Sequence, residues 1–293
     1  MVKQILQIEN LKQILILLRI DQWQKNLLVF CPLFFSLKIN QISFVSLFFV
    51  FFLFILGSSL VYILNDFVDR KKDRLNPFKK NRPLANKKIT SNFAFVLFFI
   101  LSFFIIFISY NYISSEVIWL LLFYFVINIF YNFYLKKIFI LDIFTVAFGY
   151  VIRVLAGYAQ LNEDYELFLL TGVFLLSLII LLIKRKSDFN HTIFKKSLRF
   201  YNHNIIKKIF YSLYILILVN YFLFAKTFLN IQDLVLSFLP VVLALLKLNF
   251  LLTNMKIKKN ISNVLVLDYT ILINFVFWMF IIFFKPIQNF YNF

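Results

Sequence analysis

The sequence has little of the chemistry on which disulfide-bonded and metal-binding soluble proteins depend. Of its 293 residues, only one is cysteine and two are histidine. The single cysteine, Cys31, excludes an intrachain disulfide and a thiolate metal site. His191 and His203 lack metal-ligand companions at a useful spacing. We also expect no removable signal peptide, because the N-terminal segment carries Glu9 and Lys12 and lacks a small-residue cleavage site.

Apolar surface is what the chain has in excess. Hydrophobic residues make up 62% of the sequence, 43 residues are Phe, and the mean hydropathy is +0.86. No soluble domain needs that much apolar surface, so the composition predicts a polytopic, all-α membrane protein. Nine apolar runs predict nine spans, at 26–38, 42–64, 91–112, 115–134, 139–160, 166–183, 208–229, 233–253 and 263–284.

A short amphipathic segment precedes these runs. Residues 1–25 place Leu11, Ile14 and Leu18 at helical spacing among charged residues, which is typical of a helix approaching a membrane surface. No soluble domain or low-complexity linker follows. We therefore expect residues 1–293 to form a single transmembrane domain.

Lysine and arginine are distributed unequally between the two sides of the predicted spans. The side that carries the N-terminus has 27 of them, whereas the other side has Lys38, Lys226 and Lys285. The positive-inside bias then predicts a multi-pass protein of the cell (inner) membrane, with a cytoplasmic N-terminus and an outside C-terminus. The net charge of +18 is explained by this topology and by contact with anionic membrane lipids. No nucleic-acid-binding module is recognisable.

Acidic residues are concentrated where the second apolar run ends. The stretch 62–88 reads YILNDFVDRKKDRLNPFKKNRPLANKK. Helical spacing puts Asp66, Asp69 and Asp73 on one face, where they repel one another unless a positive group lies between them. Mg²⁺ suits such oxygen ligands, since it binds one or two carboxylates together with substrate phosphates, and Arg82 follows as a candidate phosphate ligand. The alternative is an interfacial helix end whose charges are only solvated, although charges beside a membrane-depth helix are usually functional.

A second polar cluster runs through the fifth apolar run. Lys136 precedes this run, and Asp142 begins it. Arg153 lies within it, where a lone arginine is costly and should face a cavity or a partner such as a carboxylate. Gly149 and Gly157 should let neighbouring helices approach closely.

A third cluster, KRKSDF at 184–189, follows the sixth run. Lys184 and Arg185 are candidate phosphate ligands, and ordinary positive-inside charge is the alternative interpretation. The intramembrane charge is confined to one predicted side and no acid pair lies at mid-span, which argues against a transporter or channel.

The first cluster resembles a known motif. NDFVDRKKD at 65–73, followed by NPFKKNRPLA at 76–85, is similar to the first aspartate-rich motif of the UbiA-type membrane prenyltransferase superfamily. This resemblance implies a nine-helix bundle in which the motif binds Mg²⁺ and a diphosphate at a cytoplasmic-side active site. The implied metal-site roles fall on Asn65, Asp66, Asp69 and Asp73.

Three further segments resemble one branch of that superfamily, the polyprenyl-phosphate phosphoribosyltransferases. They are RIDQWQKNLLVFCPL at 19–33, LKKIFILDIFTVAFGYVIRVLAG at 135–157 and KRKSDF at 184–189. The implied reaction transfers the phosphoribosyl group of phosphoribosyl pyrophosphate to a polyprenyl phosphate and releases pyrophosphate. The alternative is transfer of a prenyl chain from its diphosphate to an aromatic or other acceptor. Aromatic prenyltransferases usually carry several acids in the second motif, whereas this chain has only Asp142.

The phosphoribosyl interpretation assigns a role to each candidate residue. Asp66, Asp69 and Asp73 would hold Mg²⁺ with the pyrophosphate, and Asp142 would bind ribose hydroxyls or metal. Phosphates would be bound by the cations Lys25, Arg82, Lys136, Arg153, Lys184 and Arg185.

The charge distribution leads to a test of the topology. Cysteines placed at Arg74 and Lys195 should be cytoplasmic, and those at Asn162 and Asn292 should be outside. Labelling with a membrane-impermeant thiol reagent in intact cells measures this. Labelling at position 74 would refute the orientation.

Overall fold

The computed structural model describes residues 2–35, 41–77, 79–138, 140–191, 203–253 and 269–284, in which every regular element is helical. In chain order the elements are α1 (Val2–Leu17), a 3-10 helix (Ile20–Phe30), α2 (Cys31–Phe35), α3 (Gln41–Leu75), α4 (Ser91–Tyr112), α5 (Ser115–Phe133), a 3-10 turn (Leu135–Lys137), α6 (Leu141–Leu161), α7 (Leu167–His191), α8 (His203–Phe228), α9 (Ile231–Thr253), α10 (Tyr269–Met279) and a π-helical segment (Phe280–Phe284).

Seven helices within these ranges, α3 to α9, are long and apolar enough to cross a membrane. The predicted all-helical, polytopic class is confirmed, and each of the seven coincides with a predicted run. A shorter apolar helix, Tyr269–Ile282, falls within the last run. The first run is instead a 3-10 helix followed by the five-residue α2, so the count of nine spans stays a prediction. Lys195 and Asn292, two of the topology probes, lie outside the described residues.

The backbone explains why residues 20–30 do not continue α1. Arg19 adopts the left-handed conformation, with a φ of 52°, and ends the α-helical path. Beyond the 3-10 helix, the Cys31 N–H bonds to the Leu28 carbonyl. Pro32 has no N–H with which to bond that carbonyl in the α-helical pattern. The tighter 3-10 winding satisfies the backbone here instead.

The chain divides into two compact units. The first comprises Met1–Leu135 and Gly149–Tyr165, and the second comprises Lys136–Phe148 and Glu166–Phe293. Helix α6 contributes its first two turns to the second unit and its remainder to the first. A single domain over the whole chain stays a prediction.

Helix α3 is the central element of the first unit. It packs against α1, the 3-10 helix, α4 and α5. In its most apolar window 67% of the residues are buried, compared with 22% in α4 and in α5. Its 35 residues span about 50 Å, which exceeds the roughly 30 Å of a hydrocarbon core. The polar C-terminal turns of α3 therefore extend past the apolar part of the helix.

The second unit is held by packing of α7, α8 and α9, with α10 packed against α9. A polar contact joins α7 to α8, because Asn220 donates a hydrogen bond from Nδ2 to Thr171 Oγ1 at 2.5 Å. Trp278 Nε1 donates to the Tyr221 hydroxyl at 3.1 Å and ties α10 to α8. Such interhelical bonds stabilise helix pairs where lipid supplies no hydrophobic driving force.

Gly157 permits a close approach between α6 and the 3-10 helix. A Cβ at Gly157 would lie 2.2 Å from the Val29 carbonyl oxygen and 3.0 Å from Pro32 Cγ. At Gly149, by contrast, a Cβ would meet its nearest neighbours, on Arg153 and Tyr124, at 3.6 Å. The close approach of a neighbouring segment that we expect at both glycines is therefore found at Gly157, where α6 meets the backbone that precedes α2.

This difference predicts that glycine-to-alanine substitution has a large effect on stability at one position and a small effect at the other. Gly157→Ala should destabilise the protein by at least about 2 kcal/mol, because the obstructing atom is backbone and cannot move aside. Gly149→Ala should stay within about 1 kcal/mol of the unmodified protein. Thermal unfolding in detergent measures both, and equal melting temperatures for the two variants would contradict the close approach.

Candidate active site

The C-terminal turns of α3 carry two buried carboxylates. Asp66 and Asp73 are 2% and 4% exposed, and their i, i+7 spacing puts them on one helix face. A single nitrogen, Nη1 of Arg82, donates to Asp66 Oδ1 at 3.0 Å and to Asp73 Oδ2 at 2.8 Å. The guanidinium thus provides the positive group that neighbouring carboxylates on one face require.

Asp66 has a second cationic partner that sequence reasoning missed. Arg19 donates from Nη2 to Asp66 Oδ1 at 2.5 Å. The guanidinium also lies over the Tyr62 ring, 4.4 Å from its centroid, and Tyr62 precedes Asp66 by one helical turn. The sequence feature that could have indicated a site role for Arg19 is its position as the first residue of the segment 19–33, which resembles the phosphoribosyltransferase branch.

Lys25 is connected to this cluster through neutral groups. Its Nζ donates to Gln22 Oε1 at 2.8 Å, and the Tyr62 hydroxyl donates to the same oxygen at 3.1 Å. Gln22 and Tyr62 were not predicted as site residues. Through them the 3-10 helix holds Lys25 beside the polar end of α3.

Lys79 adds positive charge on the other side of Asp73. Its Nζ lies 4.0 Å from Asp73 Oδ1. Burial, and next the Arg82 charge, lower the pKa of Lys79, while Asp73 and Asp69 oppose this shift. A bound anion would favour the protonated ammonium of Lys79 and thereby raise its pKa again.

The donor set fits Mg²⁺. The described parts of the chain contain no group of three or more His, Cys, Asp or Glu side chains that could hold a metal ion. Oxygens of Asp66 and Asp73 nevertheless converge on one point, and Mg²⁺ needs only one or two protein carboxylates when substrate phosphates complete its octahedron. These two residues would hold it. Asn65 and Asp69 lie half-buried on the same helix, and their roles as further ligands stay predictions.

Arg153 is buried among neutral partners. It is 5% exposed and donates to Asn26 Oδ1 at 2.7 Å, to the Gly149 carbonyl at 2.5 Å and to the Tyr124 hydroxyl at 3.2 Å. Its guanidinium also lies 4.9 Å from the centroid of the Tyr124 ring. The sequence predicts a carboxylate partner or a cavity for Arg153, whereas these contacts are with uncharged groups. They use three of the five guanidinium N–H donors.

The second unit contains a buried ion pair between two predicted site residues. Arg185 Nη2 donates to Asp142 Oδ1 at 2.7 Å, and Arg185 Nε lies 2.6 Å from Asp142 Oδ2. Asp142 is 0% exposed and Arg185 is 7% exposed. Lys184, next to Arg185, and Lys136, in the 3-10 turn before α6, are half-buried, and their phosphate-binding roles stay predictions.

Comparison with known proteins decides the family. A model of the UbiA prenyltransferase family matches residues 27–284. The chain belongs to the UbiA prenyltransferase family. It is therefore a membrane-embedded transferase, and the superfamily resemblance of its first motif is confirmed.

Solved structures show the same UbiA fold. A UbiA homolog from Archaeoglobus fulgidus bound to DMAPP and Mg²⁺ is 20% identical, with a TM-score of 0.66, over 92% of this chain and 99% of that one. The same homolog bound to GPP and Mg²⁺ is 18% identical with the same TM-score and coverage. A digeranylgeranylglyceryl phosphate synthase is 18% identical, with a TM-score of 0.63, over 96% of this chain and 99% of the other.

Similarity to one curated protein covers a smaller part of this UbiA family member. The nodulation protein NoeC of Azorhizobium caulinodans is 35% identical over 72 residues. The matched stretch is 25% of this chain and 24% of NoeC.

The buried pair of the second unit can be tested for its structural contribution. Asp142→Asn and Arg185→Gln should each destabilise the protein by about 3–5 kcal/mol, because each leaves an uncompensated buried charge. The double variant should recover most of this loss. Unfolding in detergent measures the cycle, and additive losses in the double variant would show that the two side chains do not depend on each other.

Proposed function

We propose that this UbiA family member transfers the 5-phosphoribosyl group of phosphoribosyl pyrophosphate to a polyprenyl phosphate, with Mg²⁺ as cofactor. An oxygen of the lipid phosphate forms a bond to C1 of the ribose. The bond between C1 and the pyrophosphate oxygen breaks, and pyrophosphate leaves with the bonding electrons. No net redox change occurs and no further reactant is needed.

The Asp142–Arg185 ion pair carries this proposal. Asp142 lies in the segment 135–157 and Arg185 in the segment 184–189, which are two of the three segments that resemble the phosphoribosyltransferase branch. Their contact at 2.7 Å supports a common role for these segments. Asp142 is also the only acid in α6 and is already paired, which argues against a second multi-carboxylate metal centre on this helix.

The cations around the first motif have a role in binding the donor. When bound, Mg²⁺ supplies the positive charge that stabilises the leaving pyrophosphate. Arg19, Lys79 and Arg82 already lie beside the carboxylates and can donate charge-assisted hydrogen bonds to phosphate oxygens. Lys25 is held nearby through Gln22. The structures of the A. fulgidus homolog, bound to Mg²⁺ with DMAPP or GPP, support the choice of Mg²⁺.

The acceptor needs little activation. A polyprenyl phosphate is anionic near neutral pH, so its oxygen attacks without a strong protein base. Phenylalanines that are exposed on the transmembrane helices, such as Phe99 and Phe103, provide an apolar surface along which a polyprenyl tail can lie. A buried Arg153 N–H donor could bind a phosphate in addition to its three protein partners.

A second candidate is transfer of a prenyl chain from its diphosphate to an aromatic or other acceptor. The observation in its favour is that the A. fulgidus homolog binds the prenyl diphosphates DMAPP and GPP. Both candidates need a metal–diphosphate site at the first motif. They differ in which substrate carries the diphosphate.

Donor choice separates the two candidates. Purified protein with Mg²⁺ should transfer label from phosphoribosyl pyrophosphate to a polyprenyl phosphate. It should transfer little or none from labelled prenyl diphosphate to aromatic acids. Thin-layer separation of the lipid products measures both reactions. Transfer only from the prenyl diphosphate would overturn the assignment.

Matched controls make the assay specific. Asp66→Ala and excess chelator should each abolish turnover, because removing a carboxylate or the metal leaves the diphosphate charge poorly balanced. Lys226→Gln, like Asp66→Ala, changes the net charge by one unit. Lys226 lies in the last turn of α8, on the predicted side opposite to the aspartate motif, so this variant should keep full activity. Full activity with chelator would rule out a metal-dependent mechanism.

A further inference from the structure

Arg82 occupies the point at which the two buried carboxylates converge. Its Nη1 lies 3.0 Å from Asp66 Oδ1 and 2.8 Å from Asp73 Oδ2. A Mg²⁺ ion that binds both of these oxygens lies about 2.1 Å from each and therefore comes within about 5 Å of this nitrogen, whose positive charge it repels or replaces. Arg82 and the metal therefore compete for the same two ligands.

The other cations of the cluster do not share this position. Arg19 contacts Asp66 alone and is also stacked on the Tyr62 ring. Lys79 lies beside Asp73 at 4.0 Å. Of these three cations, only Arg82 contacts both carboxylates. It lies in the loop after α3, whereas Arg19 is held against the Tyr62 ring. Displacing it leaves the contacts of Arg19 intact.

Displacement has an electrostatic consequence. A free guanidinium next to a divalent cation is repelled, and the repulsion is strong where nearby groups are buried. A pyrophosphate that binds the metal removes this repulsion and offers Arg82 a bidentate partner. The metal should therefore bind weakly by itself and tightly when pyrophosphate is present.

We propose that Arg82 is a displaceable internal cation that holds the Asp66–Asp73 pair when no divalent metal is bound and couples metal binding to pyrophosphate binding. This inference rests on the metal–diphosphate site of the proposed function. It assigns Arg82 two successive sets of partners, first the carboxylates and then the pyrophosphate. Because coupling is reciprocal, the metal should strengthen pyrophosphate binding by the same factor.

The test is binding of Mg²⁺ alone, of inorganic pyrophosphate alone, and of both together, by calorimetry on the full chain in detergent. In the unmodified protein, pyrophosphate should raise the Mg²⁺ affinity at least about tenfold, within the usual range of coupling factors. In Arg82→Gln, Mg²⁺ alone should bind about tenfold more tightly than in the unmodified protein. Its coupling factor should be correspondingly smaller.

Lys80→Gln is the matched control. Lys80 lies exposed in the same loop, and its replacement removes one positive charge, as Arg82→Gln does. It should leave the coupling factor within about threefold of the unmodified value, since a more distant, solvated charge is screened. A change as large as that of Arg82→Gln would attribute the effect to general loop charge and overturn the proposal.

A second variant guards against a folding defect. If Arg82→Gln unfolds without metal, Arg82→Lys takes its place in the test. Lysine keeps the positive charge but cannot reproduce the planar fork of arginine. It should lower the coupling factor at least about threefold. Equal Mg²⁺ affinity in the unmodified protein and the Arg82 variants would overturn the inference while leaving the proposed function intact. Absence of Mg²⁺ binding in every variant, with or without pyrophosphate, would overturn both.

Discussion

The packing of the first unit depends on the buried ion pairs at the C-terminal end of α3. Asp66 and Asp73 are almost completely buried, and a buried carboxylate is tolerated only when it is paired and hydrogen-bonded. Arg82 from the following loop and Arg19 from the N-terminal segment meet this requirement. The same contacts therefore fix both segments against α3 and bring two cations to the place where the proposed function puts a phosphorylated substrate.

The buried charges of Asp142, Arg185 and Arg153 are satisfied in two different ways. Asp142 and Arg185 form an ion pair within the second unit, with one hydrogen bond at 2.7 Å and a second N···O contact at 2.6 Å. Arg153 in the first unit bonds to an amide, a backbone carbonyl and a phenol. A charge pair loses much of its stability when one partner is removed, whereas the contacts of Arg153 are with neutral groups and leave its charge without a carboxylate partner. This makes Arg153 a structural residue in the structure described here and a phosphate ligand only by proposal.

Membership of the UbiA family and the ion clusters together limit the chemistry. The family supplies a membrane-embedded transferase, and the convergence of Asp66 and Asp73 suits a metal that bridges protein and diphosphate. What distinguishes the two candidate reactions is the second polar cluster, where a single paired aspartate takes the place of several acids. The proposed donor follows from that difference rather than from the fold, because one fold serves many substrates.

The sequence by itself determined the helical, membrane-spanning class, because apolar runs of about 20 residues have few other stable structures. It also determined that Asp66 and Asp73 share a face, since helical periodicity is local. It could not place Arg19 on Asp66, 47 residues away, or Asn26 on Arg153, 127 residues away. Nor could it separate Gly157, pressed against the Val29 carbonyl, from Gly149. Such contacts depend on how segments distant in the chain pack together, which only the tertiary structure decides.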